Sequence, residues 1–277
     1  MSATTQPNPI ERNTTDVYRI VLDGVSNGVF AVGFSADAIE GLLTVLTERD
    51  EPFTLRLLAD ESVLKDLVSD FTVGSTVADF VASERLSLRT TEDRLDGPLL
   101  LTEDRVVSVI STGVRTAGLT TDDEEFVEAA RSRYTERWDA AETFKLRTPP
   151  LSRVQETLDE EFGPELREDF ERMRTALGAY SGGELDAVDI CLLAAAKNEA
   201  LLYDISTWGE DVGVASRATF SRKKTHLEAR GLLDTEKVPI DVGRPRLRLL
   251  LGDERLRNAD ADELVSVAAS ILSTSGS

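Results

Sequence analysis

The sequence predicts an α/β domain followed by a winged helix-turn-helix, and three observations carry that class. Short apolar strands alternate with helix-period segments over residues 14–110. Three short helical patterns and two strands follow residue 180. The chain has 51 Asp and Glu against 31 Lys and Arg, a net charge of -20, yet the stretch SRATFSRKKTHLEAR at 216–230 is basic and hydroxylic.

At 277 residues the chain is long enough for two domains with real cores. Its single cysteine, Cys191, lies in the apolar run DICLLAAA, cannot form an internal bridge and reads as a small buried hydrophobe. No apolar run approaches the roughly 18 residues of a membrane span. The start, MSATTQPNPIERNTT, has neither a basic beginning nor an apolar signal core. A soluble, cytoplasmic protein is expected, with residues 1–13 disordered. The acid excess is the profile of a halophile, in which a carboxylate surface stays hydrated in concentrated salt; an ordinary acidic cytoplasmic protein is the alternative.

Taken in order, VYRIVLDGV spaces Val17, Ile20, Val21 and Val25 like one helix face, VFAVGF (29–34) reads as a buried strand, and SADAIEGLLTVLTERD returns to helix. FTLRLLAD (53–60) is a second strand, ESVLKDLVSDF and STVADFVAS are helices, and LSLRT is a third strand. Such a βαβ rhythm predicts a mainly parallel sheet covered by helices. Residues 97–101 and 105–110 read as an edge hairpin turning at 102–104. A capping box, Thr121-Asp-Asp-Glu124, opens a long helix with Phe126, Ala130, Tyr134, Trp138 and Ala141 in one stripe, ended by Pro149 and Pro150. Beyond it Leu151, Val154, Leu158 and Phe162, then Leu166, Phe170, Met173 and Leu177, keep a heptad-like seam that packs on the sheet domain or on a second copy. GAYSGG (178–183) is the expected boundary. The organisation is therefore a sensor or dimerisation domain at 14–120, a helical connector at 121–180, a winged helix-turn-helix at 181–252, and a helix and tail at 253–277.

In the last module Ser181-Gly-Gly-Glu184 is expected to cap a helix carrying Leu185, Val188, Leu192 and Ala196. Leu202, Ile205 and Trp208 are in phase on a second helix that stops at Gly213, and Ser216 can cap a third. The strands LLDTEKVPI and RLRLLL flank the turn DVGRPR, which makes the module winged. Advancing 100° per residue puts Phe220 and Leu227 on the packing face of the third helix and Ala218, Ser221, Arg222, Thr225 and His226 on the opposite one, with Arg217, Lys223 and Lys224 towards the flanks. A major groove about 12 Å wide admits such a helix, and a central Arg takes a guanine edge bidentately. Arg244, Arg246 and Arg248 continue the contact from the wing. From residue 217 to 248 basic residues outnumber Glu228, Asp234, Glu236 and Asp241 by roughly two to one, the reverse of the whole chain.

The run RKKTHLEARGLLDTEKVPIDVGRPRLRLLLG, with the 216–252 segment around it, resembles the C-terminal region of the haloarchaeal transcriptional regulators of the TbsP family. FTLRLLADESVLKDLVSDF followed by GPLLLTEDRVVSVI resembles that family's other domain, so the likeness runs from about Val17 through most of the chain. The resemblance implies a sequence-specific transcription factor of central sugar metabolism with an α/β domain ahead of the DNA-binding one.

Catalytic readings are weak. Gly24-Val-Ser26-Asn-Gly28 fits G-x-S-x-G, but a nucleophile elbow needs a strand before and a helix after, the reverse of the order here. The only histidine, His226, sits in the basic helix. One His and one Cys leave little for a metal. The chain is read as a non-enzyme without cofactor or metal, binding double-stranded promoter DNA as a homodimer. A small-molecule metabolite effector would sit beyond the strand ends at Ser35, Asp37, Asp60, Ser62 and Thr90, unless Ser35 and Asp60 only cap helices. The competing class is a metabolite-binding or enzymatic α/β protein whose winged helix is a protein-interaction module.

Overall fold

Residues 8–13, expected to be disordered, are instead tied to the sheet: a short strand, β1 (Ile10–Glu11), leads into a helix that Asn13 starts, its side chain accepting the Asp16 N–H at 2.8 Å. This helix, α1 (Thr14–Val21), buries Val17, Tyr18 and Val21, while Ile20 faces outward. The computed structural model describes residues 8–49, 53–179, 185–239 and 245–274, and divides into two units, Met1–Leu146 and Arg147–Ser277.

In the first unit the apolar run VFAV forms β2 (Val29–Val32), fully buried, and α2 (Ala36–Glu48) follows with Ser35 at its N-cap. β3 (Leu55–Ala59), α3 (Glu61–Leu67), α4 (Phe71–Ala82) and β4 (Leu86–Thr90) repeat the crossover. β5 (Leu99–Leu101), β6 (Val106–Ser111) and β7 (Thr116–Thr121) then meander, and α5 (Glu124–Ala140) and β8 (Glu142–Thr143) close the unit. The sheet runs β1-β7-β6-β5-β2-β3-β4-β8.

Among the described residues only β2–β3 and β3–β4 pair in parallel, so the sheet is mixed and not mainly parallel as expected. The reason lies in connection length. Helical crossovers separate β2, β3 and β4, whereas the tight turns at 102–105 and 112–115 leave room only for antiparallel neighbours. Hence the 99–111 hairpin forms, but it lies inside the sheet and not at its edge, between β2 and a further strand, β7. Because β7 runs to Thr121, the next helix starts later than expected. Asp123 caps α5 by accepting the Phe126 N–H at 2.9 Å.

Two cores hold the unit. Val17, Val29, Leu42, Leu57 and Val77 lie between one sheet face and α1, α2, α3 and α4. Phe30, Leu58 and Val106 lie against Val127, Tyr134 and Trp138 of α5 on the other. Val127 fills the place expected of Phe126, which is 55% exposed. Each fully buried side chain of this size contributes about 1.5–3 kcal/mol. Gly118 allows the close approach of α1: a Cβ there would stand 3.1 Å from the Val17 side chain. The opposite face of β1, β7 and β6 is less covered, and it carries Ile10, Ile110 and Leu119, each about half exposed.

The second unit opens with α6 (Leu151–Phe162) and α7 (Pro164–Ala179), separated by Gly163 at φ +85° and by Pro164, whose missing N–H costs nothing at a helix start. α8 (Ala187–Lys197), α9 (Leu202–Val212), α10 (Arg217–Ala229), β9 (Leu233–Val238), β10 (Arg246–Leu251), α11 (Glu254–Arg257) and α12 (Ala261–Thr274) follow. The expected connector is thus divided, α5 belonging to the first unit and α6 and α7 to the second. Leu166, Phe170 and Met173 are buried within the second unit, where α7 packs on α6, α8 and α12. Leu264, Ala268, Ile271 and Leu272 of α12 are buried there as well. The seam expected on the sheet domain or a second copy is consumed inside this unit.

Candidate nucleic-acid interface

Three helices in succession, α8, α9 and α10, build the basic surface. The expected cap at Ser181 and Glu184 lies outside the described residues. Instead Asp186 caps α8, accepting the Asp189 N–H at 3.1 Å while its own N–H donates to Asp189 Oδ2 at 2.9 Å. α9 ends at Gly213, which takes φ +94°, a left-handed conformation that an L side chain resists. Ser216 caps α10 as expected, its Oγ accepting the Thr219 N–H at 3.2 Å.

Packing fixes the rotation of α10. Phe220 and Leu227 are its buried side chains. Phe220 lies on Gly209 of α9 so closely that a Cβ at 209 would stand 2.3 Å from the ring. The opposite side of α10 therefore faces solvent, and Arg217, Ala218, Ser221, Arg222, Thr225 and His226 are all exposed there. Ser221 and Thr225 are joined by a hydrogen bond from Thr225 Oγ1 to the Ser221 carbonyl, at 3.0 Å.

The two lysines behave differently. They lie three and four residues after Phe220 and so share its side of the helix more than Arg222 does. Lys223 Nζ reaches Asp186 and Asp189 of α8, 2.8 Å from each, and the Asp189 side chain is only 2% exposed. Lys224 pairs with Glu228 at 2.7 Å. Lys223 thus ties the basic helix to the α8 capping box and does not project as a free phosphate contact. Burial works against the Lys223 ammonium, but hydrogen bonds to both carboxylates outweigh it and hold its pKa above the ordinary value. Burial raises the pKa of Asp189. Burial opposes ionisation of Asp186 too, yet Lys223 and backbone N–H groups bring it below the usual carboxylate range.

β9 and β10 form an antiparallel hairpin after α10, and Leu249 N–H donates to the Ala200 carbonyl at 2.9 Å, fastening the hairpin to the segment between α8 and α9. Arg246 pairs with Asp204 at 2.9 Å and lies 4.3 Å over the Tyr203 ring; Arg248 faces Glu236 at 3.5 Å. Arg244 lies outside the described residues. Asp204, Glu210 and Tyr203 escaped the sequence reading because each meets its arginine only through tertiary packing.

The five residues expected to hold a metabolite are not one site. Ser35 and Asp37 line a cavity of about 440 Å³ with Thr14, Thr15 and Gly41, whereas Asp60 and Thr90 line another of about 460 Å³ with Glu92 and Arg137. Ser62 lines neither. Ser35 and Asp60 occupy N-cap positions without making the side-chain cap bond. Ser26 is exposed between α1 and β2, in the helix-then-strand order that argues against a nucleophile elbow. Among the described residues no helix is long and apolar enough to cross a membrane, and no cluster of three His, Cys, Asp or Glu could hold a metal.

Among solved structures, the archaeal chromatin protein TrmBL2, whose structure is described as showing a novel mode of DNA binding, is 17% identical with a TM-score of 0.40, over 52% of this chain and 57% of that one. The chain thus spans just over half the length of that protein. Nuc of Salmonella typhimurium, a phospholipase D family member, is 12% identical over 50% of this chain and 97% of its own, with a TM-score of 0.37. NucT from Helicobacter pylori is 13% identical over 50% and 98%, with a TM-score of 0.36. No curated protein matches the chain. Family comparison is decisive: residues 6–149 match the N-terminal domain of TbsP-like transcriptional regulators, and residues 150–269 match their C-terminal helix-turn-helix domain. The chain belongs to the TbsP-like family of transcriptional regulators.

Proposed function

We propose that the chain is a sequence-specific DNA-binding regulator whose C-terminal unit works as a winged helix. α10 enters the major groove with Arg222, Ser221, Thr225 and His226 towards the base edges, and the β9–β10 hairpin follows the backbone. One observation carries this reading. Arg222, at the centre of the exposed face of α10, has no carboxylate partner among the described residues, while Arg217, Lys223, Lys224, Arg246 and Arg248 each have one. A base-reading arginine must be free to meet a guanine edge.

Family membership supports a role in transcription, and we extend it to genes of central sugar metabolism in a halophilic archaeon, in keeping with the acidic composition. The proposal includes a homodimer on two half-sites about one helical turn apart. The seams of α7 and α12 are spent within one chain, so the dimer would draw on the open sheet face with Ile10, Ile110 and Leu119.

The test is selection from a random-sequence duplex pool in molar potassium chloride, with Arg222→Ala in parallel. One enriched motif, with preference relaxed at a single position by the substitution and a loss of about 1–3 kcal/mol, is the expected result. An unenriched pool at every salt concentration would turn α10 into a protein-interaction surface.

A further inference from the structure

Five basic side chains among the described residues of the interface are neutralised from within. Arg217, Lys223, Lys224, Arg246 and Arg248 each hold a carboxylate. Two of these pairs stand apart because both carboxylates come from α9 and both arginines border one groove of about 530 Å³, between the start of α9, the first turns of α10 and β10. Glu210 Oε2 takes Arg217 Nε at 2.6 Å, and Glu210 Oε1 takes the Arg217 backbone N–H at 3.4 Å. Its carboxylate therefore occupies the anion position at the N-terminus of α10, where unpaired N–H groups and the helix dipole favour negative charge. Asp204 pairs with the side chain of Arg246 alone, and that guanidinium also rests on Tyr203 and so keeps its place when the carboxylate leaves.

We infer that Glu210 and Asp204 are built-in stand-ins for two DNA phosphates, and that binding DNA exchanges each carboxylate for a phosphate. The inference rests on the DNA-binding reading and adds residues that set its selectivity. Both ion pairs are about half exposed and such pairs are weak, so a phosphate can displace the carboxylate at small cost. The released carboxylate then repels the phosphate backbone and collects a cation. That uptake cancels the counterion which each arginine would otherwise release from DNA, an effect of about 0.9 in the logarithmic salt slope per contact. Random DNA, held by phosphate contacts alone, is penalised throughout, whereas a cognate site regains affinity through Arg222. Binding also becomes less sensitive to salt.

The experiment uses the full chain and a fluorescent random-sequence duplex, titrated by anisotropy over a series of potassium chloride concentrations. Glu210→Gln, Asp204→Asn and their combination are compared with Glu165→Gln, which removes the same charge from an exposed position at the start of α7. We expect each α9 variant to bind about fivefold tighter at low salt, equivalent to about 1 kcal/mol. Each should steepen the salt slope by about 0.9, with the effects adding in the double variant and Glu165→Gln leaving the slope unchanged. In an Arg217→Ala background the gain from Glu210→Gln should vanish. Wild-type binding with unchanged or weaker affinity in the α9 variants would overturn the inference, because the carboxylates would then orient the arginines and not block them. Absence of any wild-type binding would overturn the DNA-binding reading itself.

Discussion

Gly209→Ala tests whether the close contact of α9 and α10 builds the interface. The added Cβ would lie 2.3 and 2.4 Å from two ring carbons of Phe220, more than 1 Å inside ordinary contact, and Phe220 is 0% exposed. The ring has no free space to enter, so the cost falls near the top of the range for overpacking, about 3 kcal/mol. Replacing a mid-helix glycine by alanine returns about 1 kcal/mol through helix propensity. The net loss is about 2 kcal/mol for the second unit, or roughly 8 °C in Tm for a domain of this size. Its readout is Trp208, fully buried beside Gly209, in a Trp138→Phe background that silences the one tryptophan of the other unit. Adding Phe220→Leu, a smaller side chain, should recover part of the loss. A midpoint equal to or above that of the parent would refute the packing argument and leave the rotation of α10 without its explanation.

Lys223→Met should cost about 3–5 kcal/mol, because it strands the carboxylate of Asp189 in a buried site. The raised pKa of Lys223 means that its contribution is complete below its ordinary 10.5 and is lost as pH rises through the folded value, so wild-type stability should decline in that alkaline window more than the variant's. Asp189, with a raised pKa of its own, favours protonation in the folded state, so the deficit of the variant should narrow on acidification. Denaturation series across pH would contradict this if the two curves ran parallel. For the dimer, sedimentation in high salt should give twice the single-chain mass of 30.3 kDa and revert to it in Ile110→Lys, and a wild-type monomer would remove the homodimer.

Local rules were enough for much of the fold. The strands at 29–34, 53–60 and 86–90, the cap at Ser216 and the burial of Phe220 and Leu227 follow from apolar spacing over a few residues, which is a property of the chain itself. So does the exposure of Arg222, since helical periodicity places it opposite Phe220. Pairing partners do not follow from spacing. The same apolar run can sit in a parallel or an antiparallel sheet, so the position of β5 beside β2 and the existence of β7 were decided by connection length and by the core that closed over them. The seam of α7 reads the same whether it meets a second copy or α12, because periodicity specifies a buried face and not its partner. For the interface, the sequence determined which side chains are basic and which face of α10 carries them. Only the tertiary structure brought Asp186 and Asp189 to Lys223, Glu210 to Arg217 and Asp204 to Arg246, since an ion pair forms across a few ångströms of space between residues separated by anything from seven to forty-two positions in the chain.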